Sequence, residues 1–414
     1  MTQICYPPSS GLLSVSSALS AILTNIQPIT AQERIHLSHA LGRVLADDML
    51  SPMNNPPERQ SAMDGYAFSS ADIEHHQPFD LSVIGVSWAG KPYVGPSQKG
   101  GCVRIFTGAV VPEFADSVIA QEQVVIHEDM ITLAAATPAH KNIRLAGSDV
   151  RLDELMMTAP KKLTACDLGL LASVGIQHVQ VFRQLKIGFF STGDELIALD
   201  QGLQSGQIYD SNRYLLAGLL NDPNHIVTDL GVVQDDAELI EQTLQTAAEQ
   251  FDVLISSGGA SVGDKDFIKQ TLEKCGQVNV WKLAIKPGKP LAFGQIGNCR
   301  FFGLPGNPVA VLVTFEKFVK PALFKLVELT YSPIQLLAQC ETRLSKSPGR
   351  QEYQRGIYRQ IEPGLFSVRA AGPQDSHQLK IAAKANCFIV LDTDCTGVEV
   401  GENVTIEPFG ISTG

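Results

Sequence analysis

Between about residues 185 and 326, short apolar runs alternate with stretches whose apolar residues recur every three or four positions. "LKIGFF" (185–190), "HIVTDLGVV" (225–233), "FDVLI" (251–255), "VNVWKLAI" (278–285), "LAFGQI" (291–296) and "RFFGL" (300–304) are predicted strands. "DSNRYLLAGLLND" (210–222) predicts a helix with Asp210 or Ser211 as cap and Leu215, Leu216, Leu219 and Leu220 on one face. Residues 235–250 predict a second helix with Leu239, Ile240, Leu244 and Ala247 or Ala248 inward. Residues 264–275 predict a third, with Ile268, Leu272 and Cys275 along one stripe and Gly276 as its stop. Asn307-Pro308 opens a fourth, an N-cap followed by proline at the first helical position. This alternation predicts a three-layer α/β domain over 185–331, with a mostly parallel sheet covered by helices on both faces.

The flanks have a different rhythm. Residues 52–150 hold short β-type runs such as "DLSVIGVS", "GCVRIF" and "DSVIAQEQVVI" between Gly and Pro, which predicts a β-rich insert domain. Residues 332–414, with "RGIYRQI", "ANCFIVL" and "GENVTIEPF", predict a smaller C-terminal β domain of barrel type. The helical stretches "SALSAILTNI" and "ACDLGLLASVG" place a small mixed bridging domain in 1–51 plus 151–184, its first helix free to pack on the α/β domain. The fold class is therefore α/β and multidomain.

Composition excludes some classes of function. The net charge of −11 leaves no bulk positive field for nucleic acid, so a polyanionic ligand must be met by local cations. The eight cysteines form no C-x-x-C and have no His at zinc-site spacing, which argues for a reducing cytoplasm. The N-terminal segment is a poor secretory signal, and no run of about 18 apolar residues exists to span a membrane. His75 and His76 fall in a polar loop and read as solvated.

In an open α/β sheet, ligands sit beyond the carboxyl ends of the strands. Five loops follow predicted strands here: "STGDEL" with Thr192, Asp194 and Glu195; Asp235-Asp236; "SSGGASVGDKDF" (256–267); "KPGKP" with Lys286 and Lys289; and "LPGNP". Each alone is an ordinary turn with a helix cap, whereas five on one rim make a site. Gly258, Gly259 and Gly263 free backbone N–H groups to approach a phosphate. A helix terminus contributes only about 0.3–1 kcal/mol toward a charge, too little to hold a pyrophosphate beside Asp264 and Asp266. The carboxylates fit if they carry a divalent cation such as Mg²⁺ that bridges phosphate oxygens, with the lysines completing the charge balance. In the insert, Asp64-Gly65 reads as a hairpin turn, and Arg104 and Arg144 as surface charges.

At these residues the chain resembles the molybdopterin molybdenumtransferase family, the MoeA type related to the gephyrin E domain. The motifs "SAMDGYA", "RIFTGA", "STGDEL", "SSGGASVGDKD", "KLAIKPGKP" and "LPGNPVA" occur in that order, and "YQRG" and "GPQDSH" extend the likeness toward the C-terminus. One departure is that "PPERQ" stands before "SAMDGYA", where the family has a Phe-Asp pair. The resemblance implies a molybdopterin-binding α/β domain and a homodimer with a shared active site. It also implies insertion of molybdenum from molybdate into adenylylated molybdopterin with Mg²⁺-dependent release of AMP. Carried over by motif, Asp64, Asp149, Glu195 and Asp266 are catalytic, and Glu195, Asp235 and Asp266 bind the metal. Substrate contacts fall to Thr107, Thr192, Ser257, Gly258, Gly259, Ser261, Lys282, Lys286, Lys289, Pro305, Pro308, Arg355 and Ser376. Asp64, Thr107 and Asp149 would enter from the partner subunit. Handover to other cofactor-biosynthesis proteins or molybdoenzymes is a further implication. The alternatives are a molybdopterin adenylyltransferase and a non-catalytic cofactor carrier or scaffold.

Overall fold

The structure is a computed structural model that describes residues 11–73, 78–134, 137–258, 277–410 and 412–413. The central sheet has six strands in the order His225–Val233, Leu185–Thr192, Val253–Ser257, Cys299–Leu304, Pro290–Ile296 and Gln277–Lys282. The first four are parallel, and the last two are joined by antiparallel pairings. Two reversals bring Gln277–Lys282 back to the direction of the parallel strands, so its carboxyl end lies on the same rim as theirs.

Period-two burial divides the sheet's side chains between two cores. Ile187, Phe189, Ile255 and Phe302 join one apolar cluster, while Phe190, Leu254 and Phe301 join the other. The first cluster is roofed by Ser211–Leu219 and by the run from Pro308 to Leu326, which contains one π-helical turn. The second is roofed by Ala237–Gln250, whose Ile240, Leu244 and Ala247 are buried. Leu239, expected inward, is exposed, because the stripe that faces the sheet is centred one position later. Asp210 and Asp236 cap their helices through Arg213 N and through Glu238 N and Leu239 N.

The first helix, Val15–Thr24, buries Ala18 and Ile22 in the α/β core. Leu13 N and O also bond Lys282 O and Ala284 N. The bridging module draws on two chain segments: Gln32–His36 pairs with His178–Phe182, and Met49–Leu50 pairs with Leu155–Met157. The insert holds a six-stranded mixed sheet centred on Gly65–Phe68 and Gly101–Ile105. At the C-terminus, Gln351–Glu362, Leu365–Ala370, Leu336–Cys340, Asn403–Pro408 and Cys387–Leu391 close into a five-stranded barrel. Among the described residues, no helix is long and apolar enough to cross a membrane.

One expectation fails informatively. The run at 278–285 is not a single strand: it leaves the sheet at Lys282, and Ile285–Lys286 pairs in parallel with Gln351 and Glu352 of the barrel. That detour brings a face of the barrel to the rim of the α/β sheet.

Candidate active site

At the carboxyl rim lies a cleft of about 730 Å³. Thr192 and Glu195 follow the Leu185–Thr192 strand, Asp235 follows His225–Val233, and Gly258 follows Val253–Ser257. Lys286 and Lys289 enter from the detour, and Pro305 and Asn307 from the turn into the Pro308 helix. The barrel supplies Arg350 and Gln374 to Ser376. Ser376 O accepts from Val309 N at 3.2 Å, which fastens the barrel loop to the first turn of that helix.

The acidic side of the cleft is electrostatically frustrated. Burial first, then the charges of Asp194 and Glu195, hold the Asp235 carboxyl above its ordinary range. The main-chain N–H of Asp235 approaches Asp194 Oδ1 at 3.4 Å. Carboxylates that repel one another at an oxygen-lined rim are a donor set suited to a hard divalent cation. Among the described residues, no three acidic, His or Cys side chains come close enough to hold a metal. Gly259, Ser261, Gly263, Asp264, Asp266 and the helix expected at 264–275 lie outside the described residues, as do His75 and His76. Because the folded-state carboxyl is raised, ionised Asp235 costs stability above its folded pKa, and that cost fades as pH falls through the carboxylate range. Asp235→Asn is therefore expected to raise the thermal midpoint in chelator at pH 7, with the gain shrinking toward pH 4. Scanning calorimetry at both pH values checks this.

Several expected contacts take other parts. Gly258 N–H donates to Leu304 O at 3.2 Å, so it serves the neighbouring strand and not a phosphate. Ser257 is buried and accepts from Asn212 Nδ2 at 2.7 Å. Asn212 also donates to Gly306 O at 2.7 Å and so ties two strand ends together. Nothing in the local sequence marks Asn212, which lies inside a helix, far along the chain from both partners. Lys282 is exposed at its strand end and is not among the residues lining the cleft, and Pro308 starts the helix behind Asn307.

Arg355 departs furthest from expectation. It is 1% exposed and lies behind the cleft wall, where Nη2 donates to Asp375 O at 3.2 Å. Its backbone N–H donates to Gln374 Oε1 at 2.7 Å. Its place is therefore that of a brace for the Gln374–Ser376 loop, while Arg350, on the same strand side of the barrel, lines the cleft. No local pattern marks Arg350, which stands just ahead of the "YQRG" motif.

Among the described residues, none of the insert lines the cleft of its own chain. Asp64 accepts from Thr107 N at 2.8 Å and Thr107 Oγ1 at 2.7 Å, and these bonds, the backbone one first, hold its carboxyl below the usual range. Asp64-Gly65 is thus not a hairpin turn but the junction into the Gly65–Phe68 strand. Asp149 accepts from Asn55 Nδ2 at 3.0 Å. Arg104 is no solvated surface charge: it lies over the rings of Tyr66 and Phe106 at 4.9 and 4.8 Å and donates to Gly65 O.

A wound α/β domain whose acid- and lysine-lined rim is walled by a barrel is the architecture of a multidomain α/β enzyme with its cleft at the carboxyl ends of the strands. Residues 13–175 match the MoeA N-terminal region (domain I and II), 188–325 a probable molybdopterin binding domain, and 338–409 the MoeA C-terminal region (domain IV). The chain is 44% identical to the molybdopterin molybdenumtransferase of Haemophilus influenzae, over 96% of its own length and 99% of the relative's. It is 32% identical to that of a Nostoc species, over 97% and 94%. The crystal structure of the molybdopterin biosynthesis moeA protein of Pyrococcus horikoshii superposes with a TM-score of 0.83 at 28% identity, covering 96% of this chain and 100% of that one. The chain belongs to the molybdopterin molybdenumtransferase family.

Proposed function

We propose that this chain inserts molybdenum from molybdate into adenylylated molybdopterin and releases AMP in the cleft at the carboxyl rim. One observation carries the reading: acidic groups from two strand ends and cationic groups from two further segments line a single cleft. Lys286, Lys289 and Arg350 bind and orient the molybdate oxygens through charge-assisted hydrogen bonds. Ser376 and Thr192 supply hydroxyls at opposite walls. Glu195 and Asp235 on the acidic rim, with Asp266 as the third carboxylate that the motif implies, would hold Mg²⁺, which when bound would neutralise phosphoanhydride oxygens. The same carboxylates orient the water that attacks the anhydride, and the barrel loop limits access of bulk solvent. Coupling anhydride cleavage to insertion makes the transfer effectively irreversible.

Asp64, Thr107 and Asp149 serve the cleft of a partner subunit in a homodimer, a reading supported by the fact that, among the described residues, none of the insert lines their own chain's cleft. The Thr107 bonds to Asp64 fix that carboxylate for such a role. The protein works in the cytoplasm and passes its product to other cofactor-biosynthesis proteins or molybdoenzymes.

The deciding experiment is release of AMP from adenylylated molybdopterin, measured with and without molybdate. Molybdate-dependent release supports the reading. Consumption of ATP with free molybdopterin would point to the adenylyltransferase, and a pterin that survives long incubation with Mg²⁺ and molybdate would point to a carrier. Lys286→Ala is expected to weaken molybdate binding about tenfold or more, since a charge-assisted contact contributes about 1.5–3 kcal/mol. Titration calorimetry with molybdate checks this.

A further inference from the structure

Lys286 reaches the cleft from a two-residue strand that is held by the barrel and not by the sheet from which its loop departs. Glu352 is paired with it in that short ladder and is 3% exposed. Its Oε1 lies 3.1 Å from Lys286 Nζ and accepts from Gln354 Nε2 at 3.1 Å. Gln354 is in turn anchored, with Nε2 donating to Ser345 O at 2.9 Å. Glu352 thus sits on a rigid barrel strand with its acceptor aimed at an ammonium whose side chain is 43% exposed at the cleft. Arg355 lies on the same barrel strand, three residues on. Burial lowers its guanidinium pKa, and the carboxylates of Glu352 and Asp375 oppose that effect. A carboxylate this enclosed is costly to keep ionised unless cations compensate it.

We propose that Glu352 is a positioning residue for the oxyanion: its buried carboxylate fixes the Lys286 ammonium on the cleft wall, ready for molybdate. This rests on the proposed role of Lys286. A free lysine side chain loses rotamer freedom when a ligand fixes it, and holding Nζ before the ligand arrives removes part of that cost from binding. The ammonium keeps N–H groups for the ligand while one is spent on Glu352. It also stands between Glu352 and the incoming anion and screens the repulsion between them.

The test is a double-mutant cycle read by calorimetric titration of the full chain with molybdate alone, together with steady-state AMP release. Lys286→Ala is measured first. If it binds molybdate as the parent does, the reading of the site fails and this inference with it. Given a loss there, Glu352→Gln is expected to weaken molybdate binding by about three- to fivefold, the upper range for an ion pair with one half-exposed partner. It should raise KM for molybdate more than it lowers kcat. Glu352→Asp keeps the charge, and Lys286 is long enough to follow it, so its binding should return to within about twofold. In the Lys286→Ala background, Glu352→Gln should add no further loss. Parent-like binding by Glu352→Gln, or a loss that persists undiminished without Lys286, overturns the positioning role while leaving the site intact. Should Glu352→Gln fail to fold, Lys286→Met carries the test: it strips the buried carboxylate of its ammonium and must lower the thermal midpoint. An unchanged midpoint overturns the proposal.

Discussion

Gly258→Ala should lose almost all AMP release and part of its stability together. Gly258 has φ +91°, a region where an L-residue costs about 1–2 kcal/mol. An added Cβ would lie 2.6 Å from Thr192 O and 3.0 Å from Thr192 Oγ1. The carbonyl belongs to the neighbouring strand, held in parallel register with Ser191 opposite Ser257, so it cannot swing aside as a flexible side chain would. The two strand ends must part, and Thr192 and Glu195 move with one of them. A displacement of about 1 Å at a reacting centre costs about a hundredfold in rate. Gly306→Ala is the control for stability, because its Cβ would meet only Gly258 Cα at 4.0 Å. Initial rates and denaturation midpoints for both variants decide the matter, and a Gly258→Ala enzyme with parental values would remove this close approach from the account.

Lys317→Ala is expected to be strongly destabilising, by about 3–5 kcal/mol. Lys317 lies in the π-helical turn Phe315–Val319 of the α/β domain and pairs with Glu407 of the barrel, both almost wholly buried. The ammonium also stands over the Tyr353 and Phe388 rings, at 4.5 and 5.8 Å from their centroids. Burial lowers its pKa, and Glu407 acts against that effect. Truncation would leave the Glu407 carboxylate, among the described residues, with the single side-chain bond from Gln335 Nε2 at 3.2 Å. Replacing both partners, as in Lys317→Met with Glu407→Gln, should recover most of the loss, because no buried charge then stands alone. Urea midpoints for the single and double variants check this. Because Tyr353 and Glu352 lie on the strand that pairs with Ile285–Lys286, the single variant should also weaken molybdate binding.

The α/β order was legible in the chain because each strand and helix there obeys its own period. His225–Val233 is found where the apolar pattern places it, and Asp210, Asp236 and Asn307 stand at the helix starts that their side chains favour. The rim residues Thr192, Glu195, Asp235, Lys286 and Lys289 were legible for a related reason: loops after parallel strands must emerge on one edge. Leu239 and the 278–285 run depart from the expected pattern because periodicity alone does not specify a stripe's centre, or which sheet a strand joins. Asn212 and Glu352 bond partners distant in the chain, Arg350 meets the cleft only across the barrel, and local pattern carries no record of such juxtapositions.

The sequence by itself determined most strands and helices of the α/β domain, the mostly parallel character of its sheet and the resemblance to the family, since these depend on side-chain period and ordered motifs. Only the tertiary structure decided that a two-residue strand crosses to the barrel, that Arg355 braces from behind while Arg350 faces the cleft, and that Glu352 holds Lys286. The physical reason is that burial and ion pairing are properties of surfaces brought together by folding, and residues far apart along the chain acquire them only once the barrel has closed against the sheet.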